Sequence, residues 1–135
     1  MLVVSLSVSA CTVGIVFDRR AYNNVFARCD IFECRTCIDW RASEDNGERN
    51  TLIGCTLFNS DRVVRIAEPV GALYLEGCSV DYAKAVYVVE DGLIFATDCH
   101  HEGKEWIDGV FQCVGYGARI MMCGGVLLGQ ARPMT

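Results

Sequence analysis

Residues able to do chemistry gather in two stretches of this chain. The first is CDIFECRTC, residues 29–37, where Cys29, Cys34 and Cys37 stand in a C-x4-C-x2-C spacing. Plant-type iron–sulfur proteins hold a cluster on that spacing, with a fourth cysteine further on. The second is DCHHEG, residues 98–103, with Asp98, His100, His101 and Glu102 close together and Asp81 upstream. Paired carboxylates beside an imidazole can pass protons in general acid–base catalysis, and His with Glu can ligate a metal. Which of these chemistries is available depends on which side chains share a face. The elements that carry them therefore come next.

Six of the nine cysteines have similar surroundings: VSACTVG, FARCDIF, LIGCTLF, LEGCSVD, ATDCHHE and IMMCGGV. Anchored on Cys11, Cys29, Cys55, Cys78, Cys99 and Cys123, they recur at spacings of 18 to 26 residues. This is a degenerate repeat of about 22 residues, and a period of that size signals a solenoid. Three residues before each anchor stands an apolar residue: Val8, Phe26, Leu52, Leu75, Ala96 and Ile120. Two after it come Val13, Ile31, Leu57 and Val80, then His101 and Gly125, while the residue between is small or polar. Such alternation marks a strand with one buried face. A second apolar patch follows, at Ile38 and Trp40, Val64 and Ile66, and Tyr87 and Val89, so each repeat carries at least two strands. Turn material separates them, and ASEDNGERN, residues 42–50, reads as an insertion in one turn. No helical period is sustained. Leucine-rich repeats share the period, but L-x-x-L-x-L-x-x-N is missing, and propeller blades need about 40 residues. The expected fold is an all-β parallel β-helix of about six coils of roughly 22 residues, with equivalent strands about 4.8 Å apart.

On that frame Cys29 is one rung of a column of buried cysteines. Cys34 falls at the turn after the strand and Cys37 starts the next one. The intervening DIFE supplies neither Gly nor an open backbone cradle, which favours core packing over a cluster. Stacked thiols at rung spacing point in parallel, so the column does not imply disulfides. An odd count of nine fits reduced core cysteines better than a secreted disulfide scaffold.

Outward columns place side chains about 5 Å apart on adjacent rungs and about 10 Å on alternate ones. Retaining glycosidases need two carboxyls about 5–5.5 Å apart and inverting ones about 6.5–9.5 Å. Asp81 and Glu102, each three residues after an anchor, fall on adjacent rungs and could serve as acid and base or nucleophile. His100 would bind or shuttle protons. Asp98 flanks Cys99, Glu76 is expected near the same surface, and Asp30 shares the His100 column. Phe32, Phe58, Tyr74 and Tyr82 could face outward, against sugar rings or against other chains of an assembly. His100 and His101 point to opposite faces of one strand and cannot readily chelate one ion together. His101 is expected in the core, Trp40 and Trp106 in the core or at a shoulder. No metal and no cofactor is expected, and no phosphate loop or dinucleotide fingerprint is present.

Composition narrows the classes further. The 135 residues suit one domain, 1–135, and 52% hydrophobic with 21% charged residues argues against disorder. Net charge is −5, with four bases against nine acids in residues 67–135, which opposes a nucleic-acid-binding face. No apolar run approaches the ~18–20 residues that span a bilayer. Val8-Ser9-Ala10-Cys11 looks like a lipoprotein cleavage box, but no Lys or Arg follows Met1.

The rungs TLIGCTLFNS and ALYLEGCSVDY resemble coils of right-handed parallel β-helix proteins of the pectate-lyase-like superfamily. GLIFATDCHHEG is similar to the I-x-F-x-x-C-H-F-E rungs of bacteriophage tailspikes and polysaccharide depolymerases, with His101 in place of the usual aromatic. The resemblance covers most of residues 5–128. It implies an elongated homotrimer, on a virion or extracellular, that binds a bacterial surface polysaccharide, with or without its depolymerisation by a hydrolase or lyase. No catalytic residue carries over by motif. Asp81, Glu102 and His100 remain the catalytic candidates, and Asp98, Glu76, Tyr82 and Phe58 the substrate-binding ones. The other reading is a non-catalytic β-helix spacer in a tail or surface fibre. Such rods usually carry a head and a trimerisation domain; neither is recognisable here, so the chain is expected to be a section of a longer polypeptide or capped by a partner.

Overall fold

A computed structural model describes residues 1–103 and 110–129, and among them every regular element is a β-strand. The strands fall into three wholly parallel sheets. Sheet A holds β1 (Leu2–Val4), β4 (Asn24–Ala27), β7 (Arg49–Ile53), β10 (Ala72–Glu76), β13 (Leu93–Thr97) and β16 (Arg119–Cys123). Sheet B holds β2 (Ser7–Ser9), β5 (Asp30–Phe32), β8 (Thr56–Phe58), β11 (Ser79–Asp81), β14 (His100–Gly103) and β17 (Val126–Gly129). Sheet C holds β3 (Val13–Phe17), β6 (Thr36–Trp40), β9 (Arg62–Ile66), β12 (Ala85–Val89) and β15 (Phe111–Cys113). The chain visits A, B and C in turn, so each strand pairs with its equivalent one turn away. The result is a β-solenoid of about five turns of about 23 residues, with two sides of a sixth. The expected count of six coils is corrected to that extent, and each coil has three strands.

Two of the three corners are built by left-handed residues, one at each corner except the last, where Gly125 at φ +83° follows Gly124. Between sheets A and B these are Ser5, Arg28, Gly54, Gly77, Asp98 and Gly124, with φ from +50° to +67°. Between sheets B and C they are Ala10, Glu33, Asn59 and Tyr82, with φ from +48° to +56°. A left-handed residue turns the strand sharply without lengthening the connection, and Gly accepts that conformation most readily. This is the physical content of the G-C pairs at Gly54-Cys55 and Gly77-Cys78. The third corner, from C to A, varies in length and takes the insertion. There Asn46 Nδ2 donates to the Arg41 carbonyl at 2.5 Å, and Glu68 accepts the Ser43 amide at 3.2 Å.

Cys29, Cys55, Cys78 and Cys99 form one continuous interior column. Each lies just after the first corner, and each thiol donates to the same carbonyl of the preceding turn. Cys55 Sγ lies 3.3 Å from the Phe26 oxygen, Cys78 Sγ 3.5 Å from that of Leu52 and Cys99 Sγ 3.5 Å from that of Leu75. Flanking columns are Phe26, Leu52, Leu75 and Ala96 on one side and Ile31, Leu57, Val80 and His101 on the other, all buried. Truncating one of these leucines to Ala is expected to cost about 2–5 kcal/mol. Cys34 and Cys37 are also buried; burial pushes the Cys37 thiol up to about 12, and it bonds Ser60 Oγ at 3.1 Å. The C-x4-C-x2-C cysteines thus serve packing.

The ends of the ladder differ from the sequence reading. Register pairs Val3 with Phe26 and Val8 with Ile31, which makes Leu6, not Cys11, the first rung. Cys11 sits instead in the second corner, where its carbonyl accepts from Arg35 N as that of Cys34 accepts from Asp61 N. Likewise Cys123 pairs with Thr97, and Gly125 is the last rung. Both cysteines are exposed. His101 is a core residue, 2.7 Å from the Tyr87 hydroxyl through Nε2, and burial lowers its basicity. Trp40 is fully buried, edge-on to Phe17; Trp106 lies outside the described residues.

Candidate functional site on the outward face of sheet B

Because Ile31, Leu57, Val80 and His101 point inward, their neighbours on each strand point out. One outward column runs Asp30, Thr56, Ser79, His100, Val126, and the next runs Phe32, Phe58, Asp81, Glu102, Leu128. Strand pairing sets Asp81 beside Glu102, and Ser79 beside His100, one rung apart. The face changes character along its length. At one end Phe32 and Phe58 stack with centroids 4.7 Å apart and planes 7° apart. In the middle the aromatic column gives way to the two carboxylates.

One ligating atom each from Asp81, His100 and Glu102 lies within 4.8 Å of the other two. His100 Nε2 is 3.4 Å from Glu102 Oε2 and 3.8 Å from Asp81 Oδ1. Ser79 Oγ donates to Asp81 Oδ2 at 2.8 Å, which fixes that carboxylate. Asp81 Oδ1 is shut off from solvent and has no hydrogen-bond partner. Tyr82 occupies the left-handed corner directly after β11, and its hydroxyl donates to Glu102 Oε1 at 3.4 Å. The Glu102 charge, first, and partial desolvation raise the pKa of that phenol, which keeps it protonated and a donor. The side chains of His100 and Glu102 are 38% and 41% exposed and that of Asp81 21%, so the cluster meets solvent at its rim and is closed at its base.

Five of the seven candidates are thereby contiguous: Asp81, His100, Glu102, Tyr82 and, as the cross-strand neighbour of Asp81, Phe58. Asp98 and Glu76 stand elsewhere. Asp98 is a corner residue with φ +50°, and its carboxylate lies over Gly124 of the next turn. Glu76 ends β10 on sheet A, where it borders a shallow groove of about 290 Å³ with Arg49 and Thr51. The corner at Gly77 turns the chain between Glu76 and Asp81, so the two project from different sides. Asp30 keeps the expected column but lies three rungs from His100. Ser79 was missed by sequence reasoning. Its signal was present: S-x-D on a strand puts the hydroxyl and the carboxylate on one face.

A second charged ladder, also missed, lies on sheet C. Arg65 donates to Glu90 through Nε at 2.7 Å and Nη2 at 2.8 Å, and to Asp39 through Nη1 at 2.9 Å. Arg41 Nε adds a bond to Asp39 at 3.1 Å. The long-range pairs across rungs are what single-strand patterns leave out. No protein-family model matches this chain, and neither a curated protein nor a solved structure matches it.

Proposed function

We propose that this chain is a tailspike-like β-helix module that recognises a bacterial surface polysaccharide along the outward face of sheet B. The observation that carries this reading is the join of two features on one face: the Phe32–Phe58 stack runs directly into the Asp81–His100–Glu102 cluster. Aromatic faces pack against the apolar faces of sugar rings, and carboxylates with an imidazole satisfy hydroxyls. An extended face of repeated rungs suits a polymer better than a small molecule, which a concave pocket would enclose. Where the glycan is also cut, Asp81 and Glu102 are the pair for the work. Their oxygens approach within 4.8 Å, on the side of the scale where the second carboxyl attacks the sugar directly. His100 then orients or relays a proton to Glu102. The pectate-lyase-like resemblance, a homotrimeric assembly and a virion or extracellular setting belong to the same proposal.

A non-catalytic spacer is the second reading, and one observation favours it. Among the described residues, Leu6, Met122 and Leu127 are exposed at positions that are core in the turns between them. Turns of that kind bury their apolar face by stacking on further turns. The two readings separate in one experiment. Capsular and lipopolysaccharide preparations are incubated with the protein, and binding and release of reducing or unsaturated ends are measured. Binding that Phe58→Ser weakens supports recognition. Cleavage that Asp81→Asn and Glu102→Gln each reduce by about 10²–10⁴-fold supports catalysis by the pair. Absence of binding across the panel favours the spacer.

A further inference from the structure

We propose that Asp81, His100 and Glu102 form a three-ligand site for a divalent transition-metal ion, with Zn²⁺ the ion that best fits the donor set. The site does not depend on the glycan reading; it follows from the geometry of the three side chains. Zn²⁺ takes imidazole nitrogen and carboxylate oxygen at about 2.0–2.2 Å. Tetrahedral donors at that range stand about 3.3–3.5 Å from one another. His100 Nε2 and Glu102 Oε2 are already 3.4 Å apart, and Asp81 Oδ1 is 3.8 Å from the imidazole. The Asp81 and Glu102 oxygens lie within 4.8 Å of each other, so a side-chain rotation that draws these two together closes the set.

Two further observations point the same way. Asp81 Oδ1 faces the other two donors, inaccessible to solvent and without a hydrogen-bond partner. A bare carboxylate oxygen in that position is costly unless a cation meets it. Its twin, Oδ2, is held by the Ser79 hydroxyl at 2.8 Å, and Glu102 Oε1 by the Tyr82 hydroxyl at 3.4 Å. Each carboxylate thus has one oxygen tied back and one offered inward, which is how outer partners orient ligating carboxylates. Among the described residues no Lys or Arg pairs with either carboxylate, so the ion would meet charge that no described cation neutralises. The exposed rim leaves the fourth position to water. Calcium and magnesium are poorer fits, since they prefer six or more oxygens and take imidazole badly.

The test uses the full chain. Equilibrium dialysis against ZnCl₂ gives stoichiometry and affinity, and Co²⁺ substitution reports the ligands. The second readout is needed because Cys11, Cys113 and Cys123 are exposed thiols that can also take Zn²⁺. Expected are one ion per chain and a Co²⁺ spectrum with weak visible bands and no thiolate charge-transfer band. His100→Ala and Glu102→Gln should each weaken binding by at least about 100-fold, since losing even an outer partner costs 10–100-fold. Glu76→Gln, on sheet A, should leave it unchanged. Far-ultraviolet circular dichroism checks that each variant is folded. Absence of saturable binding, equal affinity in His100→Ala, or a thiolate band that survives in the parent protein overturns the proposal. None of these readouts involves a glycan, so this site and the glycan reading fail separately.

Discussion

Two charged ladders cross the rungs of this solenoid, and they are built from the same geometry to different ends. On sheet C, Asp39 and Glu90 are joined by Arg65 and assisted by Arg41, two acids against two guanidiniums. On sheet B, Asp81 and Glu102 face each other with, among the described residues, an imidazole and two hydroxyls as their polar partners. Parallel in-register stacking brings like positions within about 5 Å whatever they carry. A rung that answers an acid with Arg makes a brace between turns. A rung that answers an acid with another acid leaves an electrostatic cost, and such costs concentrate where a ligand will meet them. The contrast is therefore a physical reason to seek function on sheet B and stability on sheet C.

The largest effect that can break this comparison is expected at Arg65. Arg65→Ala leaves Asp39, whose side chain is only 11% exposed, with Arg41 alone and removes the Arg65 partner of Glu90. A fully buried pair loses about 3–5 kcal/mol when one partner goes; with Arg65 27% exposed, about 2–3 kcal/mol is expected in urea unfolding. A loss below about 0.5 kcal/mol would make the sheet C ladder an ordinary surface ion pair.

The corners that flank β11 offer a smaller version of the same contrast. Gly77 is left-handed at φ +59°, and a Cβ there would touch nothing within 4 Å. Gly77→Ala therefore isolates the backbone term and should cost about 1–2 kcal/mol. Tyr82 occupies the next corner at φ +56°, against the same preference, and reaches Glu102. The equivalent corner one turn earlier uses Asn59, which tolerates that conformation. Tyr82→Asn is expected to be neutral or to stabilise by up to about 0.5 kcal/mol, while weakening whatever the sheet B face binds. A clear destabilisation by Tyr82→Asn would mark Tyr82 as structural.

Much of this was legible in the sequence, for reasons visible at particular residues. Cys29, Cys55, Cys78 and Cys99 repeat at a period that only a solenoid explains, and alternation around them separates Val80 from Ser79 and Asp81. That put Asp81, Glu102 and His100 on one face before any coordinates. The ends were misaligned because the terminal rungs carry Leu6 and Gly125, while Cys11 and Cys123 fall nearby in other columns. The corner at the left-handed residue was not visible as a change of side, so Glu76 and Asp98 were grouped with residues they do not meet. Arg65 with Asp39 and Glu90 was hidden because their alignment depends on the length of the third corner, which no local pattern sets.

The central claim is that the acids of sheet B are kept against stability and those of sheet C for it. Urea unfolding of the double variant Asp81→Asn/Glu102→Gln beside the parent protein tests it most directly. The account predicts a midpoint equal to or above the parent's, within about 0.5 kcal/mol if unchanged. A midpoint lowered as far as that of Arg65→Ala would contradict it and make the sheet B cluster one more brace.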